Sequence, residues 1–250
     1  LPPVGSNKGT DSANWMEIWN NVFMQYNRVD EKTLLPLEKK NVDTGMGLER
    51  TNCILQGKKS VYLTEVFQPI IKTIENLISS GTMGGAYKYG DDEEKDKSVR
   101  IIADHTRSSV FILGDQRGVT PDRVGAGYVL RRLIRRAVRH GMKLGIEKDF
   151  MAEVAATVVE NFKGPYPELE QNKEKVYREL TAEEAKFRLT LKKGEAEFQK
   201  LLPNLMKNPK KIISGKVAYN LYETYGYPLE LTQELGAENG FTVDVRSEEH

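Results

Sequence analysis

The sequence holds one cysteine, Cys53, and three histidines, His105, His140 and His250. A single thiol excludes an intramolecular disulfide, and this set cannot assemble a Cys/His zinc pattern. Such cysteine usage fits a reducing, cytoplasmic setting. Long apolar runs are also lacking: nothing approaches the ~18 residues a membrane helix needs, and the opening LPPVGSNKGT has no basic stretch leading into an apolar core. Neither sign of charge prevails, with 37 Lys+Arg against 36 Asp+Glu, so attraction to a polyanion must come from clustering rather than from the sum. The chain starts at Leu1 without an initiator methionine and stops after RSEEH, as expected of a piece of something longer.

What is there is ample for a core: 250 residues suffice for one large domain or two ordinary ones. EIWNNVFMQY alternates, with Ile18, Asn20, Val22 and Met24 on one side, which predicts a strand. LLPLEKKNVDTG follows as a strand or turn, then a helix from about Gly47 to Gln56, stopped by Gly57. From Thr64 the period lengthens, with Val66, Ile70, Ile74 and Leu77 at helical steps, and the β-containing part is expected to end there. Residues 79–97 combine glycines with a charge run and read as a flexible loop. Helical patterning then dominates, through VRIIADHTRSSVFIL, Gly125–Leu144, FMAEVAATVVENF and a charged stretch over Glu168–Leu202. In that last stretch Leu169, Val176, Leu180, Phe187, Leu191 and Phe198 form an apolar stripe, and Pro203 is expected to end it.

Two segments can carry chemistry. In GYVLRRLIRRAVRHGMKLG, Leu130, Leu133, Ile134, Ala137 and Val138 define a buried stripe and leave Arg131, Arg132, Arg135, Arg136, Arg139 and Lys143 on the remaining face. Cations packed this closely repel unless they meet anions. Two readings stay open: a phosphate backbone, to which Arg offers paired donors, or acidic side chains of the 168–202 helix.

The other segment is NVDTGMGLER, residues 41–50. Gly45 and Gly47 let a ligand or strand approach the backbone, and amides at the helix entry favour negative groups. Asp43 could cap the turn or hold an ammonium. Glu49 and Arg50 could be a local ion pair, or Arg50 could stack on a nucleobase or grip phosphates.

Taken together, EIWNNVFMQYNR, VDTGMGLER, RIIADHTRSS, GYVLRRLIRRAVRHG and LYETYGYPLELT, in this order over residues 15 to about 235, resemble the alanyl-tRNA synthetases, with VDTGMGLER similar to class II motif 3. The resemblance implies an α+β chain: residues 1–59 as the C-terminal part of an antiparallel-sheet catalytic domain, and residues 60–250 as a mostly helical tRNA-recognition domain. It implies alanine and MgATP as substrates, giving alanyl-adenylate and pyrophosphate, with transfer to the 3′ end of tRNA-Ala. By position, Asp43 would hold the ammonium with help from Asn20, and Val22 and Gly45 would shape a pocket for one methyl group. Arg50, with Gly47 and Glu49, would contact ATP. A glycine-floored pocket rejects bulk but rejects glycine poorly, since one methyl is worth only ~1–3 kcal/mol; the family deals with such errors in a separate editing domain, whose His/Cys metal site is absent from these residues.

In the helical part the family reads a G·U pair of the acceptor stem from two sides. The matching positions here are Arg123 and Glu223, where the family pattern has Asn and Asp. Glu keeps a carboxylate at longer reach, whereas Arg offers no acceptor. Arg131, Arg132, Arg135, Arg136 and Arg139 are the expected phosphate contacts. Motifs 1 and 2 would precede Leu1, so the fragment alone is expected to be inactive, with Mg2+ bound through no complete site of its own and the N-terminal part possible in trans. The competing readings are a non-catalytic paralogue or split subunit that binds tRNA, and a helical protein-interaction module.

Overall fold

The computed structural model describes residues 15–81, 86–225 and 227–244. It divides into two compact units, Leu1–Gln68 and Pro69–His250.

In the first unit, β1 (Trp19–Arg28) and β2 (Leu34–Met46) form an antiparallel hairpin. Its turn is closed by Asp30, whose Oδ1 accepts from the amides of Lys32 and Thr33, both at 2.8 Å. The pairing shifts between Met24 and Tyr26, and such an irregularity bends a strand. The expected alternation holds, since Asn20, Val22 and Met24 pair in turn with Gly45, Asp43 and Asn41. Helix α1 (Leu48–Leu55) follows and ends where the sequence expects, at Gly57 with φ +62°. The amides of Gly57 and Lys58 close onto the carbonyls of Ile54 and Cys53, and the buried Cys53 thiol donates to Lys58 O at 3.2 Å.

The second unit opens with α2 (Gln68–Ser79), one residue of which precedes the boundary, and continues with α3 (Glu93–Gly114), α4 (Gly125–Lys143), α5 (Met151–Phe162), α6 (Pro167–Gln171) and α7 (Lys173–Leu205). The predicted apolar positions Ile70, Ile74 and Leu77, Leu130, Ile134, Ala137 and Val138, and the whole stripe from Leu169 to Phe198 are buried. Burying a Leu or Phe contributes roughly 1.5–3 kcal/mol, so these stripes hold the bundle together.

Three expectations are corrected. The charge run at 91–97 is a helix start, not a loop. Asp92 accepts from the amides of Glu94 and Lys95, three acidic side chains occupy the first turn of α3, and negative charge is favoured at that end of a helix. Residues 82–85 of the expected loop lie outside the described residues. Pro203 does not end α7, which runs to Leu205. Its ring suits the helical φ, and the hydrogen bond it forgoes falls in the last turn, where ends fray anyway. Strand structure also returns: β3 (Ile212–Ile213) pairs in parallel with β4 (Thr242–Val243) across α8 (Gly215–Tyr225) and α9 (Leu229–Glu238). Two-residue strands are too short for an alternation to register.

Two close approaches set the loops near α4 and α8. A Cβ on Gly127 would lie 2.6 Å from Thr120 O and 2.7 Å from Asp122 Cβ, so only glycine lets the 120–122 segment cross the first turn of α4. A Cβ on Gly194 of α7 would lie 2.2 Å from the ring of Tyr227, which fills that gap and is fully buried just before α9.

His140 lies inside the bundle, its Nδ1 3.0 Å from Ser98 Oγ and its Nε2 without a partner among the described residues. Burial, then the cations Arg139, Arg136 and Lys143, push its pKa down to about 4 from 6.5. Because the folded value lies below the unfolded one, the associated stability is complete above pH 6.5 and is lost as pH falls toward 4. The expected loss is on the order of 3 kcal/mol. Denaturant melts of wild type and His140→Gln at pH 7, 5.5 and 4 check this: the wild-type advantage shrinks with each step.

Candidate functional site

In the first unit, Asn20 stands opposite Gly45 and Val22 opposite Asp43. Opposed residues of an antiparallel pair point to one side, and the side alternates every residue. The four expected alanine-binding residues therefore occupy one face of the hairpin, on two successive same-face pairs. A Cβ on Gly45 would meet nothing within 4 Å, so the backbone there is an open floor beside the Val22 methyls and the Asp43 carboxylate. Asp43 lies within β2 rather than at the helix entry, which rules out its reading as a cap. Its Oδ1 accepts from the Thr44 amide at 2.8 Å, which orients the carboxylate.

Gly47 is the N-cap of α1, in extended conformation. A Cβ there would lie 3.1 Å from Arg50 Cδ and 3.3 Å from its Cβ and Cγ, so Gly47 makes room for the stem of Arg50. The guanidinium then donates from Nη1 to Glu17 O at 2.8 Å, which fixes a planar cation beside the helix entry and leaves its face exposed. Glu49 is half-buried in the same first turn. Among the described residues no three His, Cys, Asp or Glu side chains converge to hold a metal ion.

In the second unit the arginine face of α4 finds carboxylates inside the fold, more of them on α9 than on the 168–202 helix. Arg135 donates to Glu183 of α7 at 2.7 Å, and Arg131 lies 3.5 Å from the same carboxylate. On α9, Glu230 meets Arg132 at 3.0 Å, Glu234 meets Arg136 at 3.3 Å and Arg139 at 2.7 Å, and Glu238 meets Arg139 at 3.0 Å and Lys143 at 3.1 Å. The side chains of Arg135 and Arg139 are only 5% and 6% exposed. That burial, with paired carboxylates, leaves them no face for a phosphate. Arg135 thus pairs with the 168–202 helix, as the internal alternative expects, whereas Arg139 finds its carboxylates on α9. Arg132 and Arg136, at 49% and 46%, stay open to solvent beside their partners.

The structure brings Arg123 and Glu223 to one cleft of about 390 Å³, lined also by Tyr128, Arg131, Arg132, Arg135, Tyr219, Tyr222 and Pro228. Arg123 reaches it because the Gly127 crossing fixes its loop, with its own amide bonded to Asp122 Oδ1. Glu223 reaches it from α8, where Tyr219 Oη donates to it at 3.2 Å. Among the described residues Arg123 has no carboxylate within ion-pair distance, unlike Arg131, Arg132 and Arg135. Tyr219 and Tyr222 are about half exposed at the rim, and Arg132 sits 5.8 Å over the Tyr128 ring. Cations interleaved with aromatic faces are what single strands and helix ends of RNA engage. Sequence reasoning missed the three tyrosines; the i, i+3 step of Tyr219 and Tyr222 on α8 was the available signal. It also missed Glu230, Glu234 and Glu238, whose i, i+4 spacing mirrors that of Arg132 and Arg136.

No helix among the described residues is long and apolar enough to cross a membrane. Compared with known proteins, residues 2–250 match the family model described as tRNA synthetases class II (A). An alanine–tRNA ligase of Treponema denticola is 56% identical over 97% of this chain, and one of Treponema pallidum is 47% identical over 98%. One of Borreliella afzelii is 47% identical over 96%. The chain spans about 40% of the length of these relatives. With the family model covering nearly every residue, the chain belongs to the class II (A) tRNA synthetase family.

Proposed function

We propose that these 250 residues serve alanine–tRNA ligation, supplying part of the alanine and ATP site and the surface that takes the tRNA acceptor stem. The observation that carries the first half is the strand register, which gathers Asn20, Val22, Asp43 and Gly45 on one face. Asp43 holds the substrate ammonium with Asn20 beside it, and Val22 over the open floor at Gly45 admits a methyl group and excludes larger side chains. The carboxylate of the held amino acid attacks the α-phosphate of ATP and pyrophosphate leaves; the 3′ hydroxyl of the tRNA then attacks the carbonyl of the alanyl-adenylate, and AMP leaves. Arg50, oriented by Gly47 and the Glu17 carbonyl, covers the adenine, with Glu49 in the same turn. Mg2+ enters as the nucleotide complex, and no step is assigned to it through this chain.

The second half rests on the cleft shared by Arg123 and Glu223. Arg123 grips the nucleic acid, Glu223 accepts from a base amino group, Arg131 and Arg132 meet phosphates, and Tyr219 and Tyr222 offer faces for stacking. Arg135 lines the cleft from its buried pair with Glu183, and Arg136 and Arg139 lie outside it. An acceptor-stem RNA hairpin titrated against the chain tests this reading. Arg123→Ala is expected to weaken binding by about tenfold with an unchanged melting temperature, whereas Arg139→Ala lowers the melting temperature. Equal affinity of wild type, Arg123→Ala and Arg132→Gln removes the cleft from RNA binding.

A further inference from the structure

We infer that Glu230 is an affinity brake on the RNA cleft, occupying on Arg132 the place that an RNA phosphate takes when the stem binds. The inference rests on the reading of that cleft as an RNA site. Beside the cleft runs a groove of about 340 Å³ lined by Arg136, Glu230 and Glu234, and among the described residues Arg132 alone lines both and also bonds an α9 carboxylate from its half-exposed position. Its Nη2 lies 3.0 Å from Glu230 Oε1, and Glu230 is itself 37% exposed. A guanidinium offers the same parallel donors to a carboxylate as to a phosphate, so the two anions compete for one set of N–H groups.

Burial decides which of the arginines can exchange partners. Arg135 and Glu183 are both nearly sealed from solvent, and separating them would strand two charges in the interior. An exposed pair such as Arg132 with Glu230 is worth little in water, so the phosphate can displace the carboxylate at small cost. The displacement is not free, however, and a freed Glu230 stands close to the incoming backbone and repels it. Meanwhile the pair keeps Arg132 over Tyr128, which holds the guanidinium at the cleft before RNA arrives. Glu230 therefore orients Arg132 and at the same time lowers the affinity of the cleft for any stem that places a phosphate there.

The test has a sign that a merely structural role would not produce. An acceptor-stem RNA hairpin is titrated against wild type, Glu230→Gln, Arg132→Gln and the double variant at about 0.1 M salt, with melting temperatures recorded for each. Expected is binding about two- to fivefold tighter for Glu230→Gln, weaker for Arg132→Gln, and no gain from Glu230→Gln in the Arg132→Gln background. The gain should fade as salt is raised. Unchanged or weaker binding by Glu230→Gln overturns the brake, and so does an equal gain in both backgrounds, which is simple loss of a negative charge. If neither Arg123→Ala nor Arg132→Gln weakens binding, the RNA reading of the cleft fails instead.

Discussion

Asp43→Asn, in a ligase of full family length carrying these residues, is expected to lower alanine-dependent ATP–pyrophosphate exchange by about thirtyfold or more. A carboxylate facing an ammonium forms a charge-assisted hydrogen bond, and once the bound substrate covers Asp43, which is exposed without it, removing one partner of the pair costs roughly 2–5 kcal/mol. At 1.4 kcal/mol per decade that is about thirty- to several-thousandfold. The change is close to isosteric, and the amide oxygen can still accept from Thr44 N, as Oδ1 does at 2.8 Å. Thermal stability should therefore be unaltered. The loss should fall on the alanine dependence, with the ATP dependence little changed, because Arg50 is held independently through Gly47 and Glu17. Near-normal exchange by Asp43→Asn would take Asp43 out of the ammonium role.

The hairpin was legible because its chemistry follows from a period of two. Once EIWNNVFMQY is a strand, Asn20 and Val22 must share a face, whereas the second segment stayed open between strand and turn, and only its register in the structure sets Asp43 and Gly45 opposite them. The cleft was less legible. Arg123 and Glu223 are 100 residues apart, and only the placement of α8 and α9 against α4 brings them to one surface. The partners of the arginine face were only partly legible for the same reason: Arg131 and Arg135 meet Glu183 of the 168–202 helix, while the others meet α9. Local pattern shows that α4 has a cationic face, but whether the facing anions come from α7 or α9 depends on which helix covers it. Composition misled at residues 91–97, where a dense charge run is a capped helix start. A run of acidic residues reads as solvated loop until the geometry of Asp92 as N-cap is seen.

The same dependence on tertiary placement makes Glu184 a residue whose loss should cost the second unit heavily. It is fully buried in the middle of α7. Its Oε2 accepts from the amides of Phe150 at 3.1 Å and Met151 at 2.9 Å, so one side chain serves the free N–H groups at the start of α5. Its Oε1 pairs with Arg188 at 2.9 Å, and that guanidinium in turn donates to the carbonyls of Ile146, Glu147 and Lys148. The pair thus satisfies both ends of the 146–151 connection. Glu184→Ala strands two buried amides and leaves Arg188 to Asp149 alone among carboxylates of the described residues, at 3.1 Å. Breaking a buried pair by removing one partner costs about 3–5 kcal/mol, which for a unit of this size lowers the melting temperature by about 10 °C.

Glu184→Gln, which keeps an acceptor, should lose less, and its deficit should vary with pH. Burial holds the Glu184 carboxyl above its ordinary value despite the opposing pull of the Met151 amide, Arg188 and the Phe150 amide. With the folded pKa raised, the stability linked to that carboxyl is complete below the unfolded value of 4.5 and is lost as pH rises through the folded one. The gap between wild type and Glu184→Gln, followed by chemical denaturation, should therefore be widest at low pH and narrow as pH rises. A gap that widens with pH instead would mean that Arg188 and the two amides, not burial, govern the charge on Glu184.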